Sequence, residues 1–282
     1  MTNLSDLFPA GAGKQVSFVA DGAISAAGKP VVLTAAGKAA QVAESTAAAD
    51  VPYGSVSEVD DTPVYTTNYG SIATDPFNTG RVVASITVGG ATVPGIRIGT
   101  TSGSTITWGT AIVVNSEANE YPPVVCFDPN NENQILLAYI GTFSTKEYVV
   151  TSATITGTSS ITLGTPVAFT PAASVLYQLK GGMLAFDGNN TSTPTFAMVY
   201  VSKDGNGQWY NRAGTISGNA ITLGTADLVN SGQNWNSNDY AIDYNTTGTF
   251  VCTGSDGASP YTFAYAGTVS GTTITRGTAV TF

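Results

Sequence analysis

One short phrase is written four times in this chain: "GSTITWGTAIVVNS" (103–116), "GTSSITLGTPVAFT" (157–170), "GNAITLGTADLVNS" (218–231) and "GTTITRGTAVTF" (271–282). Its Gly-Thr pair places Gly109, Gly164, Gly224 and Gly277 at intervals of 55, 60 and 53 residues. A period of that size marks a supersecondary repeat, in the range of propeller blades. A second marker keeps the same beat. Asp75, Asp128, Asp187 and Asp243 each follow an apolar strand start, at intervals of 53, 59 and 56 residues.

Each repeat reads as four strands. The first ends at the aspartate. The second is a nearly unbroken apolar run, as in "RVVASITV", "QILLAYI", "TFAMVYV" and "TFVCTG". The third is mixed, and the fourth is the recurring phrase, whose apolar residues alternate. Unbroken apolar runs suit strands covered on both faces; alternation suits a strand with one side open. Short turns with glycine, such as Ser102-Gly103 and Ser217-Gly218, join strands three and four as hairpins. No stretch of 65–282 has helical periodicity. The expected fold is all-β: a small N-terminal β module, then four repeats of about 50–60 residues, each four-stranded, forming a small β-propeller of four blades or five. The expected domains are 1–64 and 65–282, with repeats at about 65–116, 117–170, 171–231 and 232–282.

Composition narrows the function. The chain has 282 residues, 10 Lys and Arg against 19 Asp and Glu, and a formal net charge of −9. So negative a surface repels phosphates and anionic headgroups, which argues against nucleic acid and membrane partners. There is no histidine, which removes Ser–His and Cys–His nucleophiles and histidine-ligated metals. Cys126 and Cys252 lie far apart in apolar runs and read as buried free thiols. The first residues, "MTNLSDLFPAGAGK", lack a basic start and an apolar core, so they read as no secretory signal, and the protein is expected to be made in the cytoplasm.

Residues 14–43 carry no copy of the repeat. They read as three short strands, "QVSFVA", "PVVLTA" and "AAQVA", separated by glycine turns. Lys14, Lys29 and Lys38 against Asp6 and Asp21 give residues 1–43 a charge of +1, leaving −10 for the rest. The stretch "FVADGAISAAGKPVVLTAAGKAAQVA" resembles the N-terminal β module of tailed-bacteriophage virion proteins, and capsid decoration proteins have comparable segments. The "SG-x-x-I-T-x-GT-x-V-x-F" repeats resemble those of fibre and knob-like proteins of marine phages. The two likenesses span nearly the whole chain. They imply a structural virion component whose N-terminal module, with Lys14, Lys29 and Lys38, attaches to major capsid, tail or adaptor proteins. The repeat body then projects from the virion surface, in a homo-oligomer. The alternative is a tail-fibre or receptor-binding protein with a host-surface glycan as ligand.

Few residues invite chemistry, and no catalytic residue, metal ligand or cofactor is expected. "DPFN", "DPNN" and "DGNN" are turn sequences, so Asp75, Asp128, Asp187 and Asp243 are expected to cap their own turns. "DPNNEN" could offer oxygens to calcium but lacks the ligand alternation of an EF-hand loop. "SKDGNGQW" approaches the sialidase Asp box, with Ser202, Asp204 and Trp209 in place and Asn206 and Gln208 out of pattern. In that family the box is itself a structural hairpin. One aromatic precedes each aspartate: Tyr69, Tyr121, Tyr177 and Trp235. By the repeat they should crowd one face of the body, either packing between blades or offering a surface for a sugar or a protein.

Overall fold

In every repeat the recurring phrase forms an outer strand broken at its Gly-Thr pair. The computed structural model describes residues 31–33, 38–41, 71–89, 93–117, 121–142, 147–158, 160–169, 183–190, 193–202, 208–230, 240–245, 248–255 and 262–281. The chain divides into two compact parts, Met1–Tyr53 and Gly54–Phe282.

In the first part, β1 (Val31–Leu33) and β2 (Ala39–Gln41) pair antiparallel, with Val31 opposite Gln41. These are the second and third strands expected there; "QVSFVA" lies outside the described residues.

The body holds four sheets of like topology. The first contains β3 (Ile72–Thr74), β4 (Arg81–Val88), β5 (Val93–Ser102), β6 (Thr105–Trp108) and β7 (Ile112–Val113). The second contains β8 (Val124–Phe127), β9 (Gln134–Thr142), β10 (Glu147–Thr156), β11 (Ser160–Leu163) and β12 (Val167–Ala168). The third contains β13 (Leu184–Phe186), β14 (Thr195–Ser202), β15 (Gln208–Ser217), β16 (Ala220–Leu223) and β17 (Asp227–Asn230). The fourth contains β18 (Tyr240–Tyr244), β19 (Thr249–Ser255), β20 (Thr262–Ser270), β21 (Thr273–Arg276) and β22 (Val280–Thr281). All pairings are antiparallel, and no helix is present among the described residues. The architecture is all-β and propeller-like.

Five strands per sheet replace the four expected, for a local reason. The third strand of each sheet pairs with both halves of the recurring phrase: β5 with β6 and β7, β10 with β11 and β12. Between the halves the chain bulges, and the glycine N–H donates to the third strand: Gly109 to Ile98, Gly164 to Ser152, Gly224 to Ala213 and Gly277 to Ala266, at 2.8 to 2.9 Å. The alternation of side chains runs on across the bulge, so periodicity alone reads as one strand.

The hairpins between strands three and four follow from glycine at the first loop position. Gly103, Gly218 and Gly271 adopt φ of 58°, 57° and 59°, in two-residue loops fixed by the pairs Ser102↔Thr105, Ser217↔Ala220 and Ser270↔Thr273.

Neighbouring sheets bury their faces on one another. Val83, Ile96 and Ile98 of the first sheet pack with Phe127, Leu137 and Ile155 of the second. A larger cluster joins the other face of the second sheet, both faces of the third and one face of the fourth. At its centre Trp209 is fully buried, edge-on to Tyr240 and Phe263 of the fourth sheet. Strands covered on both sides read as apolar runs, such as β9; β20 alternates because its sheet has an open face.

Candidate functional site

The first strands of the four repeats, β3, β8, β13 and β18, end around one cavity of about 460 Å³. Its wall is apolar, with Phe127, Leu184 and Phe186; Asn189, Asp243 and Asn245 bring amides and a carboxylate to it.

The aspartate turns frame this end of the body. The Asp75 carboxylate accepts the backbone N–H groups of Phe77 and Asn78 at 2.8 and 3.1 Å and pairs with Arg81. Arg81 reaches on to Asn133 Oδ1 of the next repeat at 2.6 Å. Asp128, fully buried, accepts from Asn130 N and Asn131 Nδ2, both at 2.8 Å. Asp187 accepts from Asn189 N at 2.9 Å, and its carbonyl receives Asn130 Nδ2 of the preceding repeat at 2.8 Å. The carboxylates close their own loops, while Arg81 and Asn130 tie successive repeats together.

Electrostatics separates two of them. Burial pushes the Asp75 pKa up, but hydrogen bonds from Phe77, Asn78 and Arg81 outweigh it and hold the carboxyl below its ordinary value. For Asp128 burial dominates and the pKa rises despite the bonds from Asn131 and Asn130.

Asp243 departs from its expected place. The strand-closing bond that Asp75, Asp128 and Asp187 make through their own N–H is made in the fourth repeat by Asn245, whose N–H donates to Thr249 O at 2.9 Å. The Asn245 side chain in turn accepts Thr249 N at 3.0 Å. An amide oxygen serves the turn as a carboxylate would, so the marker in the fourth repeat is Asn245. Asp243 lies in β18, opposite Val251, in the register position held by Ala73, Cys126 and Ala185 in the other repeats. Its side chain is exposed at the cavity, where the symmetry of the repeats is broken by one carboxylate.

Cys126, half-buried, also lines this cavity. Burial pushes its thiol up to about 12, and the nearby Asp128 and Asp243 charges add to that. Cys252 is likewise pushed to about 12 by burial, and both cysteines are free. Among the described residues no group of three or more Cys, Asp or Glu is placed to hold a metal ion.

Of the aromatic surface expected from sequence, Tyr69, Tyr177 and Trp235 lie outside the described residues. Tyr121 is half-buried and packs against the larger core cluster. Lys38 is exposed beside β2; Lys14 and Lys29 lie outside the described residues. Of the Asp-box residues, Trp209 is part of the contact between the third and fourth sheets and not of an open site.

No family model, curated protein or solved structure matches the chain.

Proposed function

We propose that this chain is a structural component of a tailed-bacteriophage virion, a capsid decoration or knob protein. Its small first part holds it to the particle, and its four-sheet body is displayed on the surface. The observation that carries this reading is the division at Tyr53/Gly54 into a small part, which resembles phage attachment modules, and a body tied together by turns and backbone. The charge difference between residues 1–43 and the rest supports it, because the segment that would attach is the one part of the chain without net negative charge to repel a partner.

The test is cross-linking mass spectrometry on intact particles with amine-reactive reagent. Links from Lys14, Lys29 or Lys38 to the major capsid protein are expected. Absence of the protein from purified particles would overturn the reading, and links to tail or adaptor proteins alone would move it from decoration to fibre.

The cavity supports a second reading, a receptor-binding module for a glycan. Amide and carboxylate groups around an apolar wall are what a sugar ring requires, polar at its edge and apolar on its face. Saccharide binding that disappears in Asp243→Ala or Asn245→Ala would favour it.

A further inference from the structure

Successive sheets are joined by a plug and a socket made of backbone. The socket is the glycine of the Gly-Thr bulge. The plug is the loop between strands three and four of the next repeat. A Cβ on Gly109 would overlap the carbonyl oxygen of Thr158, one on Gly164 that of Asn219, and one on Gly224 that of Thr272. Thr158, Asn219 and Thr272 each follow the first loop glycine of their hairpin. The same joint is made three times.

Among the described residues it is left half made at the two ends of the series. Gly277 has the same bulge and the same bond to the third strand, yet among the described residues a Cβ there would meet only Ala266 O of its own sheet, at 3.2 Å. The corresponding loop of the first sheet, Gly103-Ser104, has the positive φ of the others and is exposed. The face that carries the socket is open as well. Val83, Leu136 and Ala197, the strand partners of Ile98, Ser152 and Ala213, are fully buried under the next sheet. Val251, the partner of Ala266, is 44% exposed.

We infer that the Gly277 corner of the last sheet receives the Gly103-Ser104 loop of a second copy of this chain, joining chains head to tail. Register supplies the neighbouring contacts. Thr154 Oγ1 donates to Asn219 Oδ1 at 3.1 Å across an internal joint, and the equivalent Thr268 is exposed near Gly277, where it would meet Ser104. Asp227, three residues past its glycine, pairs with Arg276, one residue before the next glycine, at 3.0 Å. The corresponding pair between copies is Val280, 64% exposed, and the half-buried Trp108, an apolar match. A joint between unlike surfaces leads to open strings or closed rings of chains. Nothing in it depends on where the protein acts.

The test uses the full chain in sedimentation velocity over a range of concentrations. Wild type is expected to associate with rising concentration. Gly277→Val, whose Cβ would stand 3.2 Å from Ala266 O, is expected to lower the melt far less than valine at the internal glycines while losing association by about tenfold or more; Ser104→Trp, on an exposed loop, is expected to melt like wild type and lose association likewise. In a second measurement, chains carrying only Ser104→Cys are mixed with chains carrying only Thr268→Cys. Disulfide-linked mixed dimers are expected. A wild type that stays monomeric throughout, or a bond that forms only when both cysteines are in one chain, would overturn the inference.

Discussion

Gly224 lies under the carbonyl of Thr272, so close that no Cβ fits between them. Gly224 belongs to the outer strand of the third sheet and Thr272 to a hairpin loop of the fourth, and the contact sets how one sheet meets the next. The recurring phrase therefore does two jobs with one glycine. It bulges the outer strand, and it leaves the hole that the neighbouring loop fills. Side chains then complete the joint, with Trp209 of the third sheet edge-on to Phe263 of the fourth.

A buried polar pair in the same joint is worth testing by itself. Asn211 Nδ2 donates to the Tyr265 hydroxyl at 2.5 Å, and both residues are buried. Tyr265→Phe removes the acceptor and leaves the amide dry, which is expected to cost about 1–3 kcal/mol in denaturant unfolding. A loss well under that range would mean that water reaches the joint.

The thiols give a probe of packing. With both pKa values pushed to about 12 by burial, almost no thiolate exists at pH 8. Alkylation of Cys126 and Cys252 in the folded protein is expected to be slower than in denaturant by roughly 100-fold or more. Equal rates would show that the cores around them open readily.

Asp75 and Asp128 should respond to acid with opposite signs. The lowered Asp75 pKa contributes stability that is present above the ordinary aspartate range and lost as pH falls through the folded value. The raised Asp128 pKa works the other way: the folded state holds the proton more tightly, so its share of stability grows as pH falls through the folded value. Unfolding measured at neutral and acid pH is expected to show the gap between wild type and Asp75→Asn shrinking in acid. The gap to Asp128→Asn should move in favour of wild type. The same trend for both would contradict the assignment.

How much of this was legible in the sequence follows from the range of each interaction. The all-β class, the four repeats and the hairpin loops are local: β-branched runs, Ser-Gly turns and Asp-Pro turns specify them within a few residues. The split of the outer strand was hidden because the bulge at Gly109 and its equivalents does not break the apolar alternation. Asn245 was hidden behind Asp243 because amide and carboxylate oxygens cap a turn alike, and the acidic neighbour drew the alignment two residues away. The role of Gly109, Gly164 and Gly224 is a contact between repeats, so no pattern within one repeat can show it. The cavity likewise exists only where four separate strands meet.

The glycine sockets are the centre of this account, and one set of melts tests them. Gly109→Ala, Gly164→Ala and Gly224→Ala each push a methyl group into the backbone of the next repeat and are expected to cost about 3 kcal/mol apiece in equilibrium unfolding. Gly277→Ala, measured in dilute solution, is expected to cost about 1 kcal/mol or less, because its methyl group meets Ala266 O at 3.2 Å where the internal three meet backbone oxygens at 1.9 to 2.2 Å. Four variants with similar losses, or three internal variants with none, would contradict the account.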